Sequence, residues 1–263
     1  MRSSSTVISG AYMLRLLTKL TGVLVVFVAM SSATADETGE WYYPEWLAKA
    51  PHTPVFQVRD TVNKYGRYAA ETKTVNLGDL IKYHGHFCGG LVESALSLSV
   101  AFNTLFADGV IDRTDLKIAS NNSACGGDVA AYLTGARTRF GSHVIDPKLK
   151  ESDFVVQKVS TRQTVRVSIN VKTYPHDVRT LMRKIELGEA TPENLDRFQA
   201  LQWAYARKLV NQPGNESVVL VRSPDYVWPK TSCGDMGRRR DNDYKLTPQK
   251  ASLSCERYIC NQM

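Results

Sequence analysis

The chain has 263 residues, with 33 Lys and Arg against 26 Asp and Glu and 43% hydrophobic residues. That is enough apolar material for one moderate domain with appendages, and the mild positive excess argues against a nucleic acid or an anionic membrane surface as partner. Five cysteines, an odd number, exclude a fully disulfide-paired monomer: at least one thiol stays free, binds metal or bonds to another chain.

The N-terminus reads as a targeting segment. Arg15 and Lys19 precede the apolar run Gly22–Met30, and Ala33-Thr34-Ala35 places small residues just before Asp36 and Glu37. This three-part pattern predicts a signal peptide over residues 1–35, with Met13 as an alternative start, and hence a periplasmic or secreted protein. The apolar run is shorter than the roughly 20 residues of a membrane span, so membrane attachment requires an uncleaved signal acting as an anchor. Without Arg2, Arg15 and Lys19 the formal charge of +7 falls to +4 for residues 36–263.

Residues 36–74 begin with Trp41, Tyr42, Tyr43, Pro44, Trp46, Pro51 and Pro54, which predicts an irregular arm packed on the domain. Asn76 is a candidate cap for a short helix carrying Leu77, Leu80 and Ile81. That helix leads into Lys82-Tyr83-His84-Gly85-His86-Phe87-Cys88-Gly89-Gly90. Spacings of three and four among Leu91, Ala95, Leu98, Phe102, Leu105 and Phe106 then predict a helix that Asp108-Gly109 ends. Leu116–Ala119 reads as a strand. Cys125-Gly126-Gly127-Asp128 opens a helix ending near Gly135. The β-branched runs Val155–Val159 and Val165–Val171 read as strands, joined by a hairpin around Thr161-Arg162-Gln163. Asp177 starts a helix that Gly188 closes. Thr191-Pro192-Glu193 starts the next, because Thr caps and Pro is tolerated at the first helical position. Leu195, Phe198, Leu201, Tyr205 and Leu209 form its apolar stripe, Pro213-Gly214 stops it, and Val218–Val221 is a last strand. Residues 223–263 are loop-rich and hold Cys233, Cys255 and Cys260. Arg238-Arg239-Arg240 in that tail is followed by Asp241 and Asp243 and reads as a solvated loop. Helices and strands mix without regular βαβ alternation, so the expected fold is a single α+β domain.

His84, His86 and Cys88 are spaced by two, and in an extended segment such residues project to one side. Cys88 and Cys125 each sit at the start of a predicted helix, where unpaired N–H groups favour the thiolate, the form that binds metal and attacks electrophiles. Two thiols and two imidazoles make a mixed nitrogen–sulfur site suited to zinc, with copper, nickel or iron also allowed by ligand softness. The same residues admit plainer readings: a Cys88–Cys125 disulfide, or His86 as a core histidine bonded to a carbonyl.

Taken together, His84-Gly85-His86-Phe87-Cys88-Gly89-Gly90 and the stretch from Cys125-Gly126-Gly127-Asp128 to Leu133-Thr134-Gly135-Ala136 resemble the two signatures of the FmdE-like family, named for a component of formylmethanofuran dehydrogenase. The resemblance covers roughly residues 75 to 175. It implies an FmdE-like metal-binding domain, placed here at residues 75–222, with one transition-metal ion, usually zinc, between the two motifs. Carried over by position, the implied ligands are His86, Cys88 and Cys125, with His84 as a ligand or a support behind one. Asp128 would orient a ligand histidine or act on a metal-bound water, or else be a helix-start acid. The family's proline after the first cysteine is Gly89 here, and Arg137 and Arg139 replace a glycine-rich stretch, where they would meet an anionic small molecule or lie in solvent. In place of the Cys-x-x-Cys pairs of many members, the tail has only Cys233, Cys255 and Cys260, two of which are expected to pair as a disulfide in an exported protein.

These readings converge on an exported metal-binding protein, with metal-assisted chemistry on a small ligand as an extension. Two alternatives stay open: a thiol–disulfide module built on Cys88 and Cys125, and a non-catalytic metal-delivery or accessory partner of a redox enzyme. A homodimer is compatible with all three.

Overall fold

The computed structural model describes residues 43–61, 69–138, 141–170 and 172–229. All belong to one compact unit, Glu40–Met263. The predicted signal segment, Trp41, Tyr42, Arg139, the arginine run and the three tail cysteines lie outside the described residues. Among those described, no helix is long and apolar enough to cross a membrane.

The fold is mixed α and β. The chain runs α1 (Glu45–Lys49), β1 (Phe56–Arg59), β2 (Lys73–Val75), α2 (Leu77–His84), α3 (Gly89–Leu105), β3 (Val110–Asp112), β4 (Leu116–Ser120) and α4 (Ala124–Thr134). It continues with β5 (His143–Ile145), β6 (Phe154–Lys158), β7 (Gln163–Ile169), α5 (His176–Glu186), α6 (Pro192–Val210), α7 (Gly214–Ser217) and β8 (Val218–Arg222). A five-stranded sheet has the order β5-β4-β6-β7-β8, with β4 and β5 parallel and the other neighbours antiparallel. A small sheet, β2-β1-β3, pairs β1 antiparallel to β2 and parallel to β3.

The core forms around α3. Twelve of its seventeen residues are buried, so it is enclosed on several sides rather than carrying the single apolar stripe of a surface helix. Val92 and Leu96 are buried as well as the predicted Leu91, Ala95 and Leu98. Alternation along the strands sorts the two faces of the large sheet. Leu116, Ile118, Phe154, Val156, Val165 and Val167 face the main core. Ala119 and Val155 face the other way, onto Val144 and Leu149, with Tyr226 and Trp228 packed against that second cluster. The start of the loop-rich tail is thus docked: the Tyr226 hydroxyl donates to Asp146 at 2.6 Å, and the Lys117 ammonium lies 4.4 Å from the Trp228 ring centre.

The arm is more ordered than its prolines and aromatics predict. Within residues 36–74 it forms α1, β1 and β2, and it docks on α6 through the Arg207 guanidinium over the Trp46 ring and the bond from His52 N–H to the Val210 carbonyl. The helix-start signals hold where described. Asn76 and Asp79 form a reciprocal capping box at α2, and the Thr191 hydroxyl accepts from Asn194 N–H ahead of Pro192. The α6 stripe departs from its reading as core: Leu195 is 47% exposed, and burial is complete only from Tyr205 onward.

Candidate metal centre

Two helix ends and a turn build the site. Helix α2 ends at His84. Gly85 then takes the left-handed conformation at φ 95°, which a glycine adopts without strain, and its N–H closes the helix on the Ile81 carbonyl at 2.8 Å. The chain turns through His86 and Phe87, and Cys88 is the extended N-cap of α3. His84, His86 and Cys88 therefore do not share a face of an extended segment, as their spacing alone would have it. The turn converges them instead: their ligand atoms lie within 4.8 Å of one another, with the two imidazole centres 4.4 Å apart.

Cys125 arrives from the first turn of α4, which Ser123 caps through Gly126 N–H. Its Sγ lies 3.4 Å from Cys88 Sγ and 3.6 Å from His84 Nε2, while Cys88 Sγ is 3.8 Å from the same nitrogen. Gly90 makes the approach possible, because a Cβ there would stand 3.2 Å from Cys125 Sγ. Asp128 lies one helical turn beyond Cys125 and on the same side. Its carboxylate takes His84 Nδ1 at 2.8 Å, which leaves Nε2 turned to the two sulfurs. Asp128 thus sits past the first turn of its helix and acts on a histidine.

The charges follow from these contacts. The Cys88 thiol is pulled down to about 4, first by the hydrogen bond from Cys125 and then by His84, against the opposing effect of burial. Cys125, facing that thiolate and partly buried, is pushed up. His84 is raised to about 9, chiefly by its bond to Cys88 and then by Asp128, although burial opposes this. The metal-free site is then a thiolate, a thiol and an imidazolium held by a carboxylate. The two thiols are free rather than joined as a disulfide.

The donor set fits a metal ion. Tetrahedral zinc with bonds of about 2.3 Å to sulfur and about 2.0–2.1 Å to nitrogen separates two sulfurs by about 3.8 Å and sulfur from nitrogen by about 3.6 Å. The observed sulfur–nitrogen separations of 3.6 and 3.8 Å lie close to that triangle, and the sulfur–sulfur separation of 3.4 Å is somewhat shorter than it. A carboxylate on the far nitrogen of a ligand histidine is the usual support of such a site. His86 is exposed at its edge.

Arg137 is not brought to this centre. Its guanidinium donates to the carbonyls of Ala131 and Ala136 and closes the end of α4, so it is committed to the backbone. The cations near the site are Lys150 and Arg179, which line a cavity of about 640 Å³ opening beside Cys88 and Cys125.

A family model described as FmdE, Molybdenum formylmethanofuran dehydrogenase operon, matches residues 83–218, just over half of the chain. The chain belongs to the FmdE family. The match starts one residue before His84 and takes in Cys88, Cys125, Asp128, all of α6 and most of the large sheet. Comparison with curated proteins gives no match.

In this FmdE chain several site residues escape the motifs. Glu93 sits one turn into α3, accepts from the Ser152 hydroxyl at 2.9 Å and lines the cavity. Burial lifts its carboxyl to about 7. Tyr174, Phe198, Trp203 and Tyr205 line the same space. Glu93 carried a signal, since it is the single acid within the apolar run Gly89–Leu98. The aromatics carried none, because their spacing on α6 is that of a core stripe.

Proposed function

We propose that this FmdE protein is an exported zinc protein that holds its ion through His84, Cys88 and Cys125, with His86 as the fourth, exchangeable donor beside the cavity. The carrying observation is the triangle of Cys88 Sγ, Cys125 Sγ and His84 Nε2 at 3.4–3.8 Å, backed by Asp128 on His84 Nδ1. Export rests on the pattern of residues 1–35. Held by these residues, zinc would act as a Lewis acid toward a small molecule in the adjoining cavity. The chain's own part is to orient the donors: Asp128 fixes the His84 ring, Gly90 admits Cys125, and the α3 N-terminus favours the Cys88 thiolate.

Elemental analysis of protein taken from the exported fraction, with thiol counting before and after chelation, tests this reading. The expected result is about one zinc per chain, with Cys88 and Cys125 reactive only after chelation. Protein recovered without metal, its two thiols joined, would favour a second reading, a thiol–disulfide module. The 3.4 Å sulfur separation and the low Cys88 pKa support that reading. His84→Ala separates the two, because it weakens zinc binding by orders of magnitude on the first and leaves a disulfide able to form on the second.

A further inference from the structure

The cavity beside the two sulfurs has a composition that holding a metal does not require. Aromatic rings reach it from three parts of the chain: Phe87 from the turn before α3, Tyr174 from the segment before α5, and Phe198, Trp203 and Tyr205 from α6. Trp203 stands edge-on to Phe87 at 5.2 Å, and Tyr205 edge-on to Tyr174 at 5.3 Å. Glu93 borders this aromatic space. It is 6% exposed, and while its Oε2 takes the Ser152 hydroxyl, its Oε1 has no hydrogen-bond partner. The Tyr205 hydroxyl lies beside it without a bond of good geometry, in a residue only 3% exposed, and the Trp203 Nε1–H is also buried and unpaired. Buried polar atoms are nearly always paired. The Trp203 N–H has no partner, and Glu93 Oε1 and the Tyr205 hydroxyl face each other without closing a well-formed bond, which points to an occupant that pairs with them.

Building on the metal-site reading above, we infer that the cavity binds an uncharged aromatic molecule bearing a hydrogen-bonding group of the carboxamide kind, its ring among Phe87, Phe198 and Trp203 and its polar group at Glu93 and Tyr205. Aromatic walls favour a ring over an aliphatic body, through offset and edge-on contacts. The charges around the cavity favour a neutral group. Glu151 puts negative charge at the same space and opposes a carboxylate. Lys150 and Arg179 oppose an ammonium, with Arg179 lying over the outer Tyr174 ring at 5.7 Å. Burial, which keeps Glu93 protonated up to near neutrality, lets it donate as well as accept.

The test follows the Trp203 indole N–H resonance in the ¹⁵N-labelled full chain, assigned through Trp203→Phe, during titration with benzamide, benzoate and benzylamine. Benzamide is expected to shift it saturably, with both charged probes weaker by roughly fivefold or more, since each must desolvate its charge. Glu93→Met is expected to weaken benzamide on the order of tenfold, the equivalent of one buried hydrogen bond. Phe198→Ala, at a half-exposed position that does not endanger folding, is expected to do likewise through lost ring contact. No saturable shift, a preference for a charged probe, or unchanged affinity in Phe198→Ala and Glu93→Met would overturn the inference. Zinc content is measured on the same samples. Zinc present without a benzamide response ends the cavity inference and leaves the metal site standing. A Glu93-dependent response in protein that binds no zinc supports the cavity and ends the metal reading.

Discussion

His84 and His143 are two buried imidazoles in one domain, and their surroundings drive them in opposite directions. The His84 side chain is 3% exposed and lies among two sulfurs and the Asp128 carboxylate; its bond to Cys88 and then Asp128 raise it to about 9. His143, at the start of β5, is 5% exposed and has a hydroxyl for company. The Ser120 hydroxyl spends its one proton on the Asn121 carbonyl, so its oxygen accepts from His143 Nε2–H at 2.8 Å. With no acid beside it, burial and then Arg137 push His143 down to about 4. Burial alone therefore makes a neutral structural histidine. Burial beside a thiolate and a carboxylate makes a charged one, whose proton a metal cation can replace.

Removing the donor breaks this comparison most severely. His84→Ala is expected to lower zinc affinity by on the order of 10² to 10³, one ligand's share of a typical structural-zinc binding energy. Chelator competition measures it. In the intact protein, zinc must displace the protons of His84 and of Cys125, so affinity is expected to strengthen as pH rises from 6 toward 9. The same slope in His84→Ala as in the intact protein would show that His84 is no ligand.

His143 produces the next largest effect, and on stability rather than on metal. Its folded pKa of about 4 lies below the unfolded value near 6.5, so between these limits the unfolded chain binds more protons. The His143 contribution to stability is then complete above about pH 6.5 and falls by about 3 kcal/mol as pH drops toward 4, while Glu93 contributes in the opposite sense over the same range. The difference in urea stability between the intact protein and His143→Gln is expected to change with pH by that amount, with zinc affinity untouched. A pH-independent difference would show that His143 carries no slope.

Two smaller changes sharpen the contrast. Asp128→Asn keeps the shape of the residue and removes the charge behind His84, and a 10- to 100-fold loss of zinc affinity is expected, the usual cost of losing such a support. The His84 pKa, read by NMR in the metal-free protein, is expected to fall in the same variant. Gly90→Ala places a methyl 3.2 Å from Cys125 Sγ, so that sulfur must give by a few tenths of an ångström. A several-fold loss of zinc affinity, without loss of fold by circular dichroism, is the expected outcome.

Local chemistry decided much of this protein from the sequence alone. The helix starts at Asn76 and Thr191-Pro192 and the strands read at 165–171 and 218–221, observed at 163–169 and 218–222, follow from side chains acting on their own neighbourhood. Tertiary structure decided the rest. Strand β1 exists because it pairs with β3, some fifty residues later, which no local pattern of aromatics and prolines announces. His84 took the central place because α4 delivers Cys125 and Asp128 to opposite nitrogens of its ring, whereas the family resemblance had put His86 ahead of it. Arg137 turned to its own helix end, and Glu93, hidden in an apolar run, became a buried acid beside the sulfurs. The cause is common to these cases. A residue's type sets what it can bind or ionise, but the distance and dielectric that select among those outcomes exist only once remote segments have packed together.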